Sequence, residues 1–139
     1  IIVIGPGSLY TSIIANLIIP DISEAIINSR AKKVFICNIM SEEGETDRLD
    51  CYGHLEKITD HVKNLKIDYM LINNKIIESD ILERYDREHK HPVYVDDSQR
   101  AKIRELGVQI IEDNLLRVSE TGQIMHESEK VARILLDIL

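Results

Sequence analysis

Residues 5–12, Gly-Pro-Gly-Ser-Leu-Tyr-Thr-Ser, place two glycines around a proline and then four side-chain hydroxyls, on Ser8, Tyr10, Thr11 and Ser12. A Gly-x-Gly turn lets a ligand approach the backbone closely, because no Cβ intervenes. Where a helix follows such a turn, its first N–H groups are unpaired and favour an anion. Ser8, Thr11 and Ser12 add neutral donors, which suits a phosphate without requiring a cationic side chain. Neither familiar phosphate motif is complete. The dinucleotide fingerprint Gly-x-Gly-x-x-Gly has Tyr10 where its third glycine belongs, and the Gly-Lys-Ser/Thr of a P-loop is absent. The same residues also suit a tight strand-to-helix turn capped by Ser8. Residue types and spacing leave both readings open: an anion site or a structural turn.

Other chemistry-bearing residues carry weaker signals. Asn38 closes an apolar run and can hydrogen-bond a base or a sugar. Cys37, with no histidine beside it, reads as a buried thiol rather than a nucleophile. Glu42, Glu43, Glu45, Asp47 and Asp50 are the kind of carboxylates that hold Mg²⁺. They lack the order of a calcium loop and read as a solvated segment, so no metal site is expected. His54 and His61 share a helical face two turns apart, about 10 Å, too far for one metal. His89 and His91 flank a loop and read as surface residues, and His126 precedes the last helix.

The elements that must position these residues follow from hydrophobic periodicity. Ile1–Ile4 is a continuous apolar run, expected to be a strand buried on both faces. A helix is expected from Leu9 to Ile18, stopped by Pro20. Asp21 and Glu24 form a capping-box pattern for a second helix, Ile22 to Ser29, with Ile22, Ala25, Ile26 and Ser29 inward. Further strands are expected in residues 32–38, 67–74, 92–96 and 108–111, with Pro92 tolerated at the start of its strand. Between them the pattern predicts a helix over Cys51–Leu65, a short one over 79–89 capped by Ser79 or Asp80, and one beginning at Asp97 or Ser98 and closed by Gly107. Residues 113–125 suit two short extended pieces around a Thr121-Gly122 turn, before a final amphipathic helix from Glu127 to Leu139. Strands alternating with helices imply a mainly parallel three-layer α/β/α sheet, Rossmann-like, whose ligands bind at the carboxyl ends of the strands. Gly5–Ser12, Asn38–Asp50 and Asn73-Asn74 lie there.

A chain of 139 residues with 44% hydrophobic and 29% charged residues suits one soluble domain. A net charge of −7 without a basic stripe argues against nucleic acid. No apolar run reaches the roughly 20 residues a membrane helix needs. Two cysteines without zinc or C-x-x-C spacing fit a reduced, cytoplasmic setting.

The segment "IGPGSLYTSIIANLIIPDISEAIINSRAKKVFICNIM", followed by "GETD", resembles the bacterial gluconeogenesis factor (YvcK-like) family, which is related to the CofD-like 2-phospho-L-lactate transferases. The likeness is dense over residues 1–47 and looser beyond, through "IDYMLIN", "PVYVDD" and "HESEKVARILLDIL". It implies a regulatory protein, needed for growth and cell shape on gluconeogenic carbon sources, that binds a nucleotide sugar such as a UDP-sugar. By that resemblance Gly5, Pro6, Gly7, Ser8, Leu9, Tyr10, Thr11 and Ser12 line the ligand, Asn38 and Met40 form the adjoining wall, and Gly44, Glu45 and Thr46 form a covering loop. No cofactor is expected; Mg²⁺ enters only under the alternative, a transferase moving a phospho-lactyl type group from a nucleotide donor. A homo-oligomer and a regulatory protein partner are further expectations. So is the domain organisation: one α/β domain over residues 1–139, the C-terminal part of a longer chain with a glycine-rich N-terminal half.

Overall fold

Segments apolar at nearly every position are stable only where both faces are covered, and the two inner strands of the central sheet are buried in this way. The computed structural model describes residues 1–139. In it β1 (Ile2–Ile4), β2 (Lys33–Ile36), β3 (Tyr69–Asn73) and β4 (Gln109–Asp113) form one sheet in that spatial order. All three pairings are parallel; Val3 lies opposite Val34, Phe35 opposite Met70, and Met70 opposite Ile110. The helices are a π-helical stretch Leu9–Ile14 running into α1 (Ala15–Leu17), then α2 (Pro20–Asn28), α3 (Cys51–His61), α4 (Ser79–Arg87), α5 (Asp97–Glu105) and α6 (Ser128–Ile138). An antiparallel ribbon, β5 (Leu116–Val118) and β6 (Ile124–His126), precedes α6.

Alternate side chains of each strand feed opposite layers, as the period of two requires. Phe35, Cys37, Met70 and Ile72 pack against Leu9, Ile13, Leu55, Ile58 and Ile103 on one face. Val34, Ile36 and Leu71 pack against Leu115, Val131 and the inner face of α6 on the other. A third small cluster, Ile39, Ile77 and Leu116, ties α4 and the β5–β6 ribbon to the end of β2. The fold is the expected three-layer α/β/α arrangement.

Several elements differ from expectation. Residues 92–96 form no strand of the sheet. Their one pairing is an isolated antiparallel bridge between Pro92 and Met40, because the Val93 N–H donates to the Ile39 carbonyl and the Ser41 N–H to the His91 carbonyl. Proline has no N–H for a ladder, and β4 takes the place beside β3. β1 is an edge strand, and Val3 is 41% exposed, so it is not buried on both faces. The first helix is π-wound: Ile13 N–H reaches five residues back to the Ser8 carbonyl at 2.9 Å. Pro20 begins α2 rather than merely ending its predecessor; Ile19 is the N-cap and no side chain caps it, so the capping-box pattern is not used. Ile22 and Ala25 of α2 are exposed, and Ile26 and Ile27 form its inner edge. Glu78, not Ser79 or Asp80, is the N-cap of α4, and it makes no side-chain cap bond. α3 ends at His61, although Val62 and Leu65 beyond it are buried as the pattern predicts. Asp96 is the N-cap of α5, accepting from the Gln99 N–H at 2.8 Å.

Candidate functional site

The turn after β1 is built from the backbone. Gly5 adopts φ +83°, in the left-handed region, and a Cβ there would lie 3.1 Å from the Ile36 carbonyl oxygen. This turn therefore requires glycine, because the strand beside it cannot retreat. At Gly7 a Cβ would meet Ser12 Cβ at 3.2 Å, so the turn folds tightly over the helix it feeds. Ser8 is the N-cap: its Oγ accepts from the Thr11 N–H at 3.4 Å and the Thr11 hydroxyl at 2.7 Å. The Ser8 hydroxyl itself donates to Glu45 Oε2 at 2.8 Å. The N–H groups of Gly7 and Ser8 donate to no acceptor in the chain, which leaves them available to an anion.

Gly7 and Ser8 border a cleft of about 510 Å³ at the carboxyl ends of β1 and β2. Pro6, Gly7, Ser8, Asn38 and Met40 line it together, although Ser8 and Asn38 are far apart in sequence. The other expected site residues lie around this group. Gly5 sits under the turn. Leu9 is fully buried in the core, and the Tyr10 ring meets His61 edge-on with centroids 6.2 Å apart. Thr11 and Ser12 are exposed, Ser12 on a neighbouring apolar groove beside β1. Gly44, at φ +75°, turns the acidic loop; Glu45 reaches Ser8, and the buried Thr46 pins the loop by accepting the Glu42 N–H at 2.8 Å. The Gly44 N–H donates to Asp47 Oδ2 at 2.9 Å, so part of the acidic charge holds the loop's own shape. No group of three or more His, Cys, Asp or Glu side chains is arranged to hold a metal ion.

The rest of the lining includes residues that sequence reasoning did not assign to the site, Lys90, Met125, His126 and Ser128; Ser41 and Glu42, beside Met40, fall in the Asn38–Asp50 segment expected at the strand ends. The first four arrive through non-local packing of α4 and the β5–β6 ribbon, for which no short-range signal exists. His126 Nε2–H donates to the Cys37 carbonyl at 3.1 Å, tying the ribbon to the end of β2. Burial pushes its pKa below the usual histidine value, opposed by that hydrogen bond, so the imidazole is neutral near pH 7. Lys90 Nζ lies 2.8 Å from Glu88 Oε2, and this hydrogen bond raises its pKa, keeping it charged.

The two cysteines meet in the core with Sγ atoms 3.8 Å apart. The hydrogen bond to Cys51, then burial, hold the Cys37 thiol well above its usual range. A protonated thiol with 1% exposure is a packing group, not a nucleophile. His54 is likewise buried: Nδ1–H donates to the Asp50 carbonyl at 2.8 Å, and Nε2 has no partner. Burial lowers its pKa. The cleft thus combines residues with free backbone donors, hydroxyls, an amide, one lysine, the Glu42 carboxylate and the neutral His126. No activated nucleophile is among these groups, and the one imidazole is already engaged with the Cys37 carbonyl.

This α/β fold is shared with known proteins. The chain belongs to the family of the 2-phospho-L-lactate transferase CofD, whose family model matches residues 1–116. Among its relatives, the gluconeogenesis factor of Bacillus subtilis is 37% identical over 139 residues, covering 100% of this chain and 43% of that protein. The gluconeogenesis factor of Halalkalibacterium halodurans is 39% identical over 137 residues, covering 99% and 41%. A crystal structure of a upf0052 family member from Bacillus halodurans is 38% identical, with a TM-score of 0.88 over 96% of this chain and 42% of that one. The chain spans less than half the length of the curated relatives it matches.

Proposed function

We propose that this chain carries one wall of a nucleotide-sugar site in a cytoplasmic regulatory protein of the gluconeogenesis factor type, acting on growth and cell shape on gluconeogenic carbon. The observation that carries the reading is that Gly7 and Ser8, whose N–H groups are unpaired, line one cleft with Asn38 at the strand ends. Backbone donors suit a phosphate oxygen, and Asn38 suits a base or sugar edge. Relatives named gluconeogenesis factor support the link to gluconeogenesis. Signalling through a protein partner, in a homo-oligomer, belongs to the same proposal.

The second reading, a transferase of phosphorus-containing groups, is favoured by the name of the matching family. It would need a divalent metal such as Mg²⁺ and a general base, and His126, the neutral imidazole at the cleft, is engaged with the Cys37 carbonyl. Calorimetric titration of the full-length protein with UDP-sugars, NAD and GTP, with and without Mg²⁺, separates the readings. Saturable, metal-independent UDP-sugar binding without turnover supports the regulator. Metal-dependent binding with product formation supports the transferase, and no binding refutes both.

A further inference from the structure

The cleft beside the Gly7-Ser8 turn does not end at Lys90. A second cleft of about 380 Å³ shares Lys90 and Ile124 with it, and is otherwise lined by Arg84, Tyr85, Glu88, Thr121 and Gln123. The two differ in character. The first offers the apolar side chains of Ile39, Met40, Ile124 and Met125, which suit the faces of a flat base. Both offer a carboxylate and an amide, Glu42 and Asn38 in the first and Glu88 and Gln123 in the second, the groups that recognise vicinal hydroxyls through paired hydrogen bonds, but the second sets them among fewer apolar side chains. Lys90 stands at the junction as the one cation of the first cleft. Arg84 is committed elsewhere, to the carbonyls of Thr121 and Gly122. The Tyr85 hydroxyl accepts the Ile124 N–H at 2.7 Å, which fixes the ridge between the clefts.

We infer that Lys90 is the charged partner of a ligand's diphosphate, and that the ligand bends over the Ile124 ridge, with its base in the first cleft and its glycosyl end against Glu88 and Gln123 in the second. This rests on the nucleotide-sugar reading above and adds the polarity of the ligand to it. Lys90 is held by Glu88 alone among side chains and is half-buried, so its ammonium can swing to a phosphate without disturbing the core. Its loss leaves an anion with backbone and hydroxyl donors only. Glu88, released from the lysine, becomes an acceptor for sugar hydroxyls.

The test is calorimetric titration of the full-length protein with a UDP-sugar, UDP and uridine, using wild type, Lys90→Ala, Lys90→Arg and Gln123→Ala. Lys90→Ala is expected to weaken UDP-sugar and UDP by about 10- to 100-fold, the span of a charge-assisted hydrogen bond, and to leave uridine unchanged. Lys90→Arg restores most of the loss. Gln123→Ala weakens the UDP-sugar severalfold and leaves UDP unchanged. Normal UDP-sugar binding by a folded Lys90→Ala protein overturns the assignment of Lys90 while sparing the nucleotide-sugar reading. A Gln123→Ala protein that binds the UDP-sugar as wild type overturns the placement of the glycosyl end. Failure of wild type to bind any of the three overturns both readings.

Discussion

Glu45 holds the hydroxyl proton of Ser8, and neutralising that carboxylate is the most informative perturbation of the turn. The Ser8 Oγ–Glu45 Oε2 distance is 2.8 Å, and Ser8 Oγ accepts from Thr11 at the same time. An anion seated on the Gly7 and Ser8 N–H groups therefore finds a carboxylate beside it. Two like charges about 4 Å apart repel by about 1 kcal/mol in bulk water and about 4 kcal/mol near a protein surface. The cleft is open, which places the cost toward the lower figure. Glu45→Gln keeps an acceptor for the Ser8 hydroxyl, so the fold loses no more than about 1 kcal/mol. Affinity for a UDP-sugar should rise about five- to tenfold at low salt, since about 1.4 kcal/mol is one decade. At high ionic strength the gain should shrink, because screening already weakens the repulsion in the wild type. Isothermal titration of both proteins at two salt concentrations reads this directly. Equal affinity at both salts would refute the placement of an anion at the turn, and weaker binding by Glu45→Gln would also make Glu45 a direct ligand contact.

Other consequences can be measured separately. Gly5→Ala should destabilise the protein by at least about 1–2 kcal/mol in denaturant melts, from its left-handed φ together with the unyielding Ile36 carbonyl; an unchanged midpoint contradicts this. Gly7→Val should weaken UDP-sugar binding, although its methyls also press on Ser12 and a melt must accompany the titration; Ser12→Ala, on the neighbouring groove, should leave it near wild type. His54 and His126 have lowered folded pKa values, so the unfolded state binds more protons below the unfolded value near 6.5. Stability should be full above that pH and fall as pH drops through it toward the folded values. His126→Gln should flatten the slope, and an unaltered profile would remove His126 as a source. Cys37 and Cys51 should react with a thiol reagent only at the rate of opening of the core; prompt modification of the native protein would contradict their burial.

The central strands were legible because β2 and β3 are apolar at nearly every position, and only a sheet covered on both faces tolerates that. Residues 92–96 carry the same β-type pattern, yet the Val93 N–H and the neighbouring His91 carbonyl pair with the chain after β2. Periodicity reports burial, not the partner. β1 misled for the opposite reason, since an apolar run does not say which strand is the edge. The turn glycines of the candidate site could be read locally, because positive φ and close approach are properties of a few adjacent residues. Lys90 and His126 could not, since their place at the cleft depends on how α4 and the β5–β6 ribbon dock through Ile39, Ile77 and Leu116.

Amide hydrogen exchange of the full-length protein with and without a saturating UDP-sugar tests the location of the site most directly. Protection should concentrate in residues 5–12 and 38–46, strongest at the unpaired Gly7 and Ser8 N–H groups. Saturable binding that leaves those two amides exchanging as in the free protein would contradict the account.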